Sequence, residues 1–353
     1  MNNNLMRHFI PIIIALVFAA SSCSKSGGEK TKLKPERFHI DIKLKTTPIK
    51  NQGASDLCWI YAMLATIETE HLMSGDSVDL SAIFLGRRFL EEQALRHYAN
   101  KNAPVALRGV MPTTLRLLQR YGAMPFTSYR QPKDVKLNSL AQQLQQRSDQ
   151  ARAHRKGMKS LEEDTRRLLD DAIGPVPSWV FMLGCQYTHL EFAHSICQPN
   201  EYTALTSFTH HPFDSKFVLE VPDNFNGEEF LNVPIDTLMA YIDHALHTQH
   251  PVCWEGDTSE PGFGHGIARL PKGHQTVTQD SRQRMFDHFD TTDDHCMAII
   301  GLAHDNHGKK YYICKNSWGK SIPYRGYVFM EEDYLKAKTI AVVIPSKAIY
   351  NQP

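Results

Sequence analysis

The chain changes its hydrophobic period along its length, and that change restricts the fold more than any single motif. From Trp59 to Leu72 apolar residues recur at helical spacing (Trp59, Met63 and Ile67 among them), which leaves Glu68 and Glu70 for the surface. Gly75 and Asp76 break this helix. A second helix is expected from Ser81 to about Tyr98, and a third with Pro112 in its first turn, running to Tyr121 and ended by Gly122. Between about Asp134 and Asp171 the chain is rich in Gln, Arg, Asp and Lys with sparse Leu, so a charged helical excursion is expected over about 134–175, closed by Pro175 and Pro177. Ile235–Leu246 reads as a further helix. The C-terminal third reads differently. Pro251–Trp254, His295–Leu302 and Lys310–Lys315 are short apolar runs, the last two separated by Asp305, Asn306 and Gly308 as in a β-hairpin. Tyr327–Met330 and Thr339–Ile344 add two more strands. Helices first and strands later predict an α+β fold rather than an alternating parallel sheet.

Composition narrows the function classes. The 353 residues are 42% hydrophobic and 22% charged, which suits a globular domain with a sizeable core. A formal net charge of +1 supplies no pull toward nucleic acid, which is excluded as an expected partner. At the N-terminus Arg7 and His8 precede an apolar run from Phe9 to Ala20, then Ser21, Ser22 and Cys23. This is the pattern of an export signal over residues 1–22, too short to be a comfortable membrane span. A Cys directly after small residues resembles a bacterial lipobox, which implies lipidation of Cys23 and attachment to a bacterial membrane through that anchor only. Residues 23–46 are expected to be a tether, and residues 47–353 the folded domain. The seven cysteines show no CxxC pair, so neither a zinc site nor a dense disulfide framework is indicated. Cys185 and Cys197 are open to either reading, a bridge or buried free thiols.

The chemistry-bearing residues lie in two separated blocks. In Gln52-Gly53-Ala54-Ser55-Asp56-Leu57-Cys58-Trp59 a polar turn leads into an apolar helix, with Cys58 at its start and Ser55 or Asp56 as the expected N-cap. The positive end of the helix favours thiolate over thiol, and Asp56 works partly against it. The second block is Asp293-Asp294-His295-Cys296-Met297-Ala298, followed by Lys315-Asn316-Ser317-Trp318-Gly319. A His at the head of one strand and an Asn at the tail of the next can meet across a hairpin. The Asn oxygen then fixes the imidazole tautomer and aims the other nitrogen at sulfur. Gln52, six residues before Cys58, can join the Cys58 backbone N–H as an oxyanion hole. Trp59 and Trp318 are supporting residues, Trp318 as a shield for the His–Asn hydrogen bond. Asp293 and Asp294 are read as a polar lead into the strand, Cys296 as packing on the opposite face from His295, and His210, His211, His265, His304 and His307 as surface or loop residues. Gly262–Gly266 is read as a flexible loop bordering the cleft. No metal and no cofactor is expected, since neither HExxH nor EF-hand spacing occurs.

In combination, Gln-x5-Cys-Trp, His-x-Met-Ala-x-x-Gly and Asn-Ser-Trp-Gly resemble the papain superfamily of cysteine peptidases. Within it the chain is most similar to the bleomycin hydrolase and aminopeptidase C branch. Tyr121-Gly122-Ala123-Met124-Pro125, Thr206-Ser207-Phe208 through Phe213, Val221-Pro222-Asp223-Asn224 and Asn232-Val233-Pro234 all look like that branch. The resemblance implies a two-lobed papain-like fold, with an N-terminal helical lobe, a C-terminal antiparallel β-rich lobe and the cleft between them. It implies a thiol peptidase acting on peptide or protein substrates, with Cys58 as nucleophile, His295 as general base and acid, Asn316 orienting the imidazole and Gln52 in the oxyanion hole. Two alternatives stand beside it: a cell-wall amidase or transpeptidase using the same Cys-His chemistry, and a retired, peptide-binding lipoprotein. In that branch a C-terminal arm enters the cleft and restricts cleavage to peptide N-termini. Here the arm is expected to be absent, since the chain stops at Pro353, and endo- or exopeptidase action stays open.

Overall fold

A computed structural model of the chain describes residues 36–350, apart from 133, 134 and 183. The signal segment, Cys23 and the first part of the expected tether lie outside the described residues. Among the described residues no helix is long and apolar enough to cross a membrane.

The chain opens with β1 (His39–Lys43), followed by α1 (Cys58–Met73), α2 (Ala82–Ala99), α3 (Met111–Tyr121), α4 (Leu137–Ala153) and α5 (Met158–Ile173). A short hairpin of β2 (Val180–Met182) and β3 (Cys185–Tyr187) leads to α6 (His189–Ile196), β4 (Tyr202–Thr206), β5 (Ser215–Val218) and β6 (Glu229–Asn232). Then come α7 (Ile235–His247), β7 (Val252–Gly256), β8 (Phe263–Gly264), β9 (Ile267–Ala268) and α8 (Gln279–Asp287). The last part comprises β10 (His295–His304), β11 (Lys310–Lys315), β12 (Tyr327–Glu331), α9 (Glu332–Lys338), β13 (Thr339–Pro345) and α10 (Ser346–Tyr350).

The sheet runs β5-β6-β4-β13-β7-β10-β11-β12-β9-β8, with β1 on β10. Most neighbours are antiparallel; β4–β6 and β9–β12 are parallel. The ten-residue β10 carries β7 along His295–Ile299 and β1 along Gly301–His304, with an irregularity at Ile299–Gly301. Gly301 permits the β1 approach, because a Cβ there would lie 2.1 Å from the Ile42 carbonyl oxygen. One apolar core lies among α1–α6 and a second between the sheet and α7, α9 and α10, giving the two lobes of the α+β fold.

The tether expected over residues 23–46 is shorter than its sequence suggests. From Phe38 onward the segment is built into the domain: Phe38 stacks on Phe329 at 4.1 Å, and Leu44 is buried. His-Ile-Asp-Ile is a brief alternating pattern, and β10 supplies its hydrogen-bond partners. The charged stretch after Asp134 folds as α4 and α5. Their sparse apolar residues (Leu140, Leu144, Leu161 and Leu169) are buried, and both helices pack on α2. Arg87 of α2 ties this layer together, donating to the Tyr129 hydroxyl (3.1 Å), the Gly174 carbonyl (2.8 Å) and Asp170 (2.7 Å).

Helix α1 corrects a second expectation. Glu68 and Glu70 are buried, because α1 runs between the lobes and has almost no solvent face. Glu68 accepts from Thr47 Oγ1 (2.5 Å), Lys50 Nζ (2.5 Å) and the Leu80 backbone N–H (2.8 Å), with Lys315 Nζ 3.9 Å away. Glu70 pairs with His250 and Lys347. Burial brings the Lys315 ammonium down to about 8, the nearby Glu68 opposing the shift. Glu68→Ala removes the carboxylate nearest the buried Lys315 ammonium and leaves Lys50 with Asp79 alone. It is expected to lower the free energy of unfolding by about 3–5 kcal/mol, read from the midpoint of urea unfolding.

Candidate active site

Cys58 is the first residue of α1, so its backbone N–H is one of the first-turn donors that no helical carbonyl can reach. Neither Ser55 nor Asp56 caps the helix; the capping position falls on Leu57, without a side-chain bond. Ser55 instead closes the preceding turn by donating to the Gln52 carbonyl (2.6 Å). Asp56 is exposed and accepts from Asn138, so water screens its field at the sulfur.

The loop before Cys58 is hydrogen-bonded to the segment after β11. The Gln52 N–H donates to the Ser317 carbonyl (2.8 Å), the Gly319 N–H to the Lys50 carbonyl (3.1 Å), and Asn51 bridges Trp318. Gln52 Nε2 donates to the Ser55 carbonyl (2.7 Å), while its Oε1 accepts from Ser317 Oγ (2.5 Å). A carbonyl can only accept, so this orientation of the amide is fixed and leaves one N–H of Gln52 uncommitted.

His295 heads β10, and its Nε2 lies 2.9 Å from Asn316 Oδ1 at the end of the hairpin. The Ser317 backbone N–H, which can only donate, reaches the same oxygen at 2.7 Å. The atom facing His295 is therefore oxygen, Nε2 carries the proton, and Nδ1 is left for the Cys58 side. Asn316 Nδ2 has no hydrogen-bond partner among the described residues. The Trp318 ring lies 4.6 Å from the imidazole, tilted by 32°, and Phe263 meets Trp318 edge-on at 6.0 Å. Gly262–Gly266 is thus a tight hairpin of β8 and β9 whose turn residues His265 and Gly266 have positive φ, and it backs the indole over His295. Trp59 is buried, donating from Nε1 to the Leu107 carbonyl (2.8 Å) and meeting Phe89 edge-on at 5.0 Å.

Cys58, Gln52, His295, Trp59 and Trp318 line one cavity of about 160 Å³, with Asn316 behind His295. The Cys58 thiol is held well below its ordinary range by the Cys296 thiol beside it and by the His295 imidazole, against the opposing effect of burial. Cys296 is buried, but the expectation that it only packs on the face away from His295 is corrected: it lies beside Cys58 and lines the same cavity as His295. Burial drives its own thiol up, so it stays protonated and can donate to the Cys58 sulfur.

Sequence reasoning missed part of the wall. Arg108, Asp223 and Glu255 line the same cavity, as do Asp293 and Asp294. Arg108 Nε bonds both Asp223 oxygens (2.7 and 3.0 Å), and its terminal nitrogen reaches the Asp293 carbonyl (3.2 Å). Burial raises Asp223 to about 6 and pushes Asp293 up as well. The one available signal was an acid inside the apolar run Val252-Cys253-Trp254-Glu255. Elsewhere, His210, His211 and Glu220 cluster, as do His274, Glu331 and Asp333, but none of these lines the cavity. Both imidazoles of the first group pair with Glu220. Cys185 and Cys197 are free thiols.

A model of the Peptidase C1-like family matches residues 181–352. Over 172 residues the chain is 26% identical to Aminopeptidase E of Lactobacillus helveticus, a match covering 45% of this chain and 39% of that protein. The chain thus spans well under two thirds of that relative. The crystal structure of PepW from Lactobacillus rhamnosis superposes with a TM-score of 0.68 at 18% identity, covering 88% of this chain and 82% of that one. That match takes in β10 and its part of the cavity wall, so over these residues the chain is similar to the Peptidase C1-like family, and its fold is shared with PepW.

Proposed function

We propose that the chain is a cysteine peptidase that hydrolyses peptide bonds through Cys58. The observation that carries this reading is the lowered Cys58 thiol beside a His295 whose tautomer is fixed by Asn316. In this mechanism the Cys58 thiol gives its proton to His295 Nδ1, and the resulting thiolate attacks the scissile carbonyl. The oxyanion that forms accepts from the Cys58 backbone N–H and the uncommitted N–H of Gln52. The protonated imidazole then gives its proton to the leaving amine, and the acyl-enzyme is released by water that His295 deprotonates. Asn316 keeps the imidazole aimed throughout, and Trp318 limits water at the His–Asn bond. We also propose export and lipid attachment at Cys23, on the strength of the Phe9–Ala20 run and the small residues before that thiol. Incorporation of labelled palmitate that vanishes in Cys23→Ala tests this; unchanged labelling would overturn it.

An epoxide-type thiol inactivator is expected to label Cys58 alone, with loss of all peptide hydrolysis. An adduct elsewhere, or none, sinks the proposal. Gln52→Ala is expected to lower kcat by roughly 10²–10³-fold with little change in KM, measured on any peptide the enzyme cuts. Cys296→Ala removes the thiol that donates to the Cys58 sulfur. The thiolate is then less favoured, so the pH midpoint for Cys58 alkylation by iodoacetamide is expected to move upward, while the maximum rate at high pH is retained.

A further inference from the structure

Glu255 is an anomaly in the cavity wall. It sits in β7 between Trp254 and Gly256, is 1% exposed, and its Oε2 has no hydrogen-bond partner among the described residues. The strand register pairs Glu255 directly with Cys296 of β10, and paired residues on antiparallel strands project to the same face. Cys296 lies beside Cys58. The free carboxyl is therefore aimed into the cavity next to the nucleophile.

The charges around it do not balance. Asp56, Asp223, Glu255, Asp293 and Asp294 line this space; among the described residues that line it the cations are Arg108 and, once it has taken the Cys58 proton, His295, whose charge the thiolate matches. Arg108 is committed to Asp223 and to the Asp293 carbonyl, and Asp293 Oδ2 accepts the Asp223 backbone N–H at 3.1 Å. Glu255 is left over. An unpartnered acid in a dry wall is costly in either protonation state, and a cation with N–H donors relieves both the missing hydrogen bond and the missing charge. Empty, the site favours the neutral acid: burial drives Glu255 well above the usual carboxylate range, reinforced by Asp293 and Asp223. The cavity, about 160 Å³, has room for a slender side chain or a chain terminus.

We infer that Glu255, supported by Asp223 and Asp293, forms a cation-recognition subsite that seats an ammonium or guanidinium group of the peptide beside the bond attacked by Cys58. This rests on the reading of Cys58 as a peptidase nucleophile. The cation has two sources, the free α-ammonium of a peptide N-terminus or a Lys or Arg side chain. Glu255 is a specificity residue and takes no part in bond cleavage.

The test is a set of fluorogenic peptides differing only at the residue before the scissile one (Gln, Leu, Lys or Arg), each with a free or an acetylated N-terminus. They are assayed on the wild-type chain and on Glu255→Gln, with the epoxide titre of Cys58 as the measure of competent sites. The wild type is expected to favour the cationic peptide over its neutral counterpart by roughly ten- to a hundredfold in kcat/KM, the worth of a hydrogen bond to a charged group. That ratio is expected to collapse toward one in Glu255→Gln. Preference that follows the free amine assigns the site to the N-terminus, and preference that survives acetylation assigns it to the side chain. Cleavage without charge preference in the wild type, or a preference that persists in Glu255→Gln, overturns the subsite alone. Should the variant not fold, the wild-type ratio still decides. No cleavage of any peptide together with an unlabelled Cys58 overturns the peptidase reading itself.

Discussion

The buried carboxylate of Glu68 holds the two halves of the site in register. It lies on the helix that Cys58 begins, and it binds Lys50, two residues before Gln52, with Lys315, one residue before Asn316, close by. Cys58, the loop that carries Gln52 and the residue behind the imidazole therefore converge on one side chain well inside the protein. A charge so deeply placed is tolerable only when its partners are complete. The same demand for completeness makes it a positioning device: any shift of the loop or of β11 relative to α1 breaks an ion pair that water cannot replace.

The sheet continues the same logic. Hydrogen bonds between the loop at Lys50–Gln52 and the segment at Ser317–Gly319 fix the separation between the cysteine side and the histidine side without a side chain having to span it. Because Ser317 donates both to Asn316 Oδ1 and to Gln52 Oε1, one residue orients the amide that faces His295 and the amide that faces the cavity. Electrostatically the two ends of the cavity differ. Beside the sulfur, donors favour an anion; across the wall, the acids await a cation. A peptide bond with a neighbouring positive charge matches that polarity.

Much of this was legible in the sequence, for identifiable reasons. Helix and strand periods located α1, α2, α3, α7 and the β10–β11 hairpin to within a few residues, because each has a buried face and a clear breaker such as Gly122 or Pro112. At Gly122 a Cβ would sit 2.2 Å from the His189 backbone. The positions of Gln52, Cys58, His295 and Asn316 were readable because their chemistry needs specific residue types in a fixed order. What escaped has a common cause. Glu68 and Glu70 look like surface residues until Lys50, Lys315, His250 and Lys347 are brought to them from distant parts of the chain. Arg108, Asp223 and Glu255 meet in one cavity only through tertiary contacts, and local pattern carries no trace of such meetings. β1 was hidden because a short, largely exposed strand owes its existence to its partner.

The position of β13 has a consequence in time. It is the last strand among the described residues, yet it lies between β4 and β7, near the middle of the sheet. β7 is the neighbour that carries Glu255 and flanks His295, so the wall of the cavity lacks a lateral support until β13 is inserted. Pairings so distant along the chain are slow to form. During synthesis, therefore, Cys58 emerges well before His295. The helical lobe can condense around α1 first, with a thiol that nothing yet activates. The surroundings that lower the Cys58 thiol are complete only once β10 is paired in the sheet.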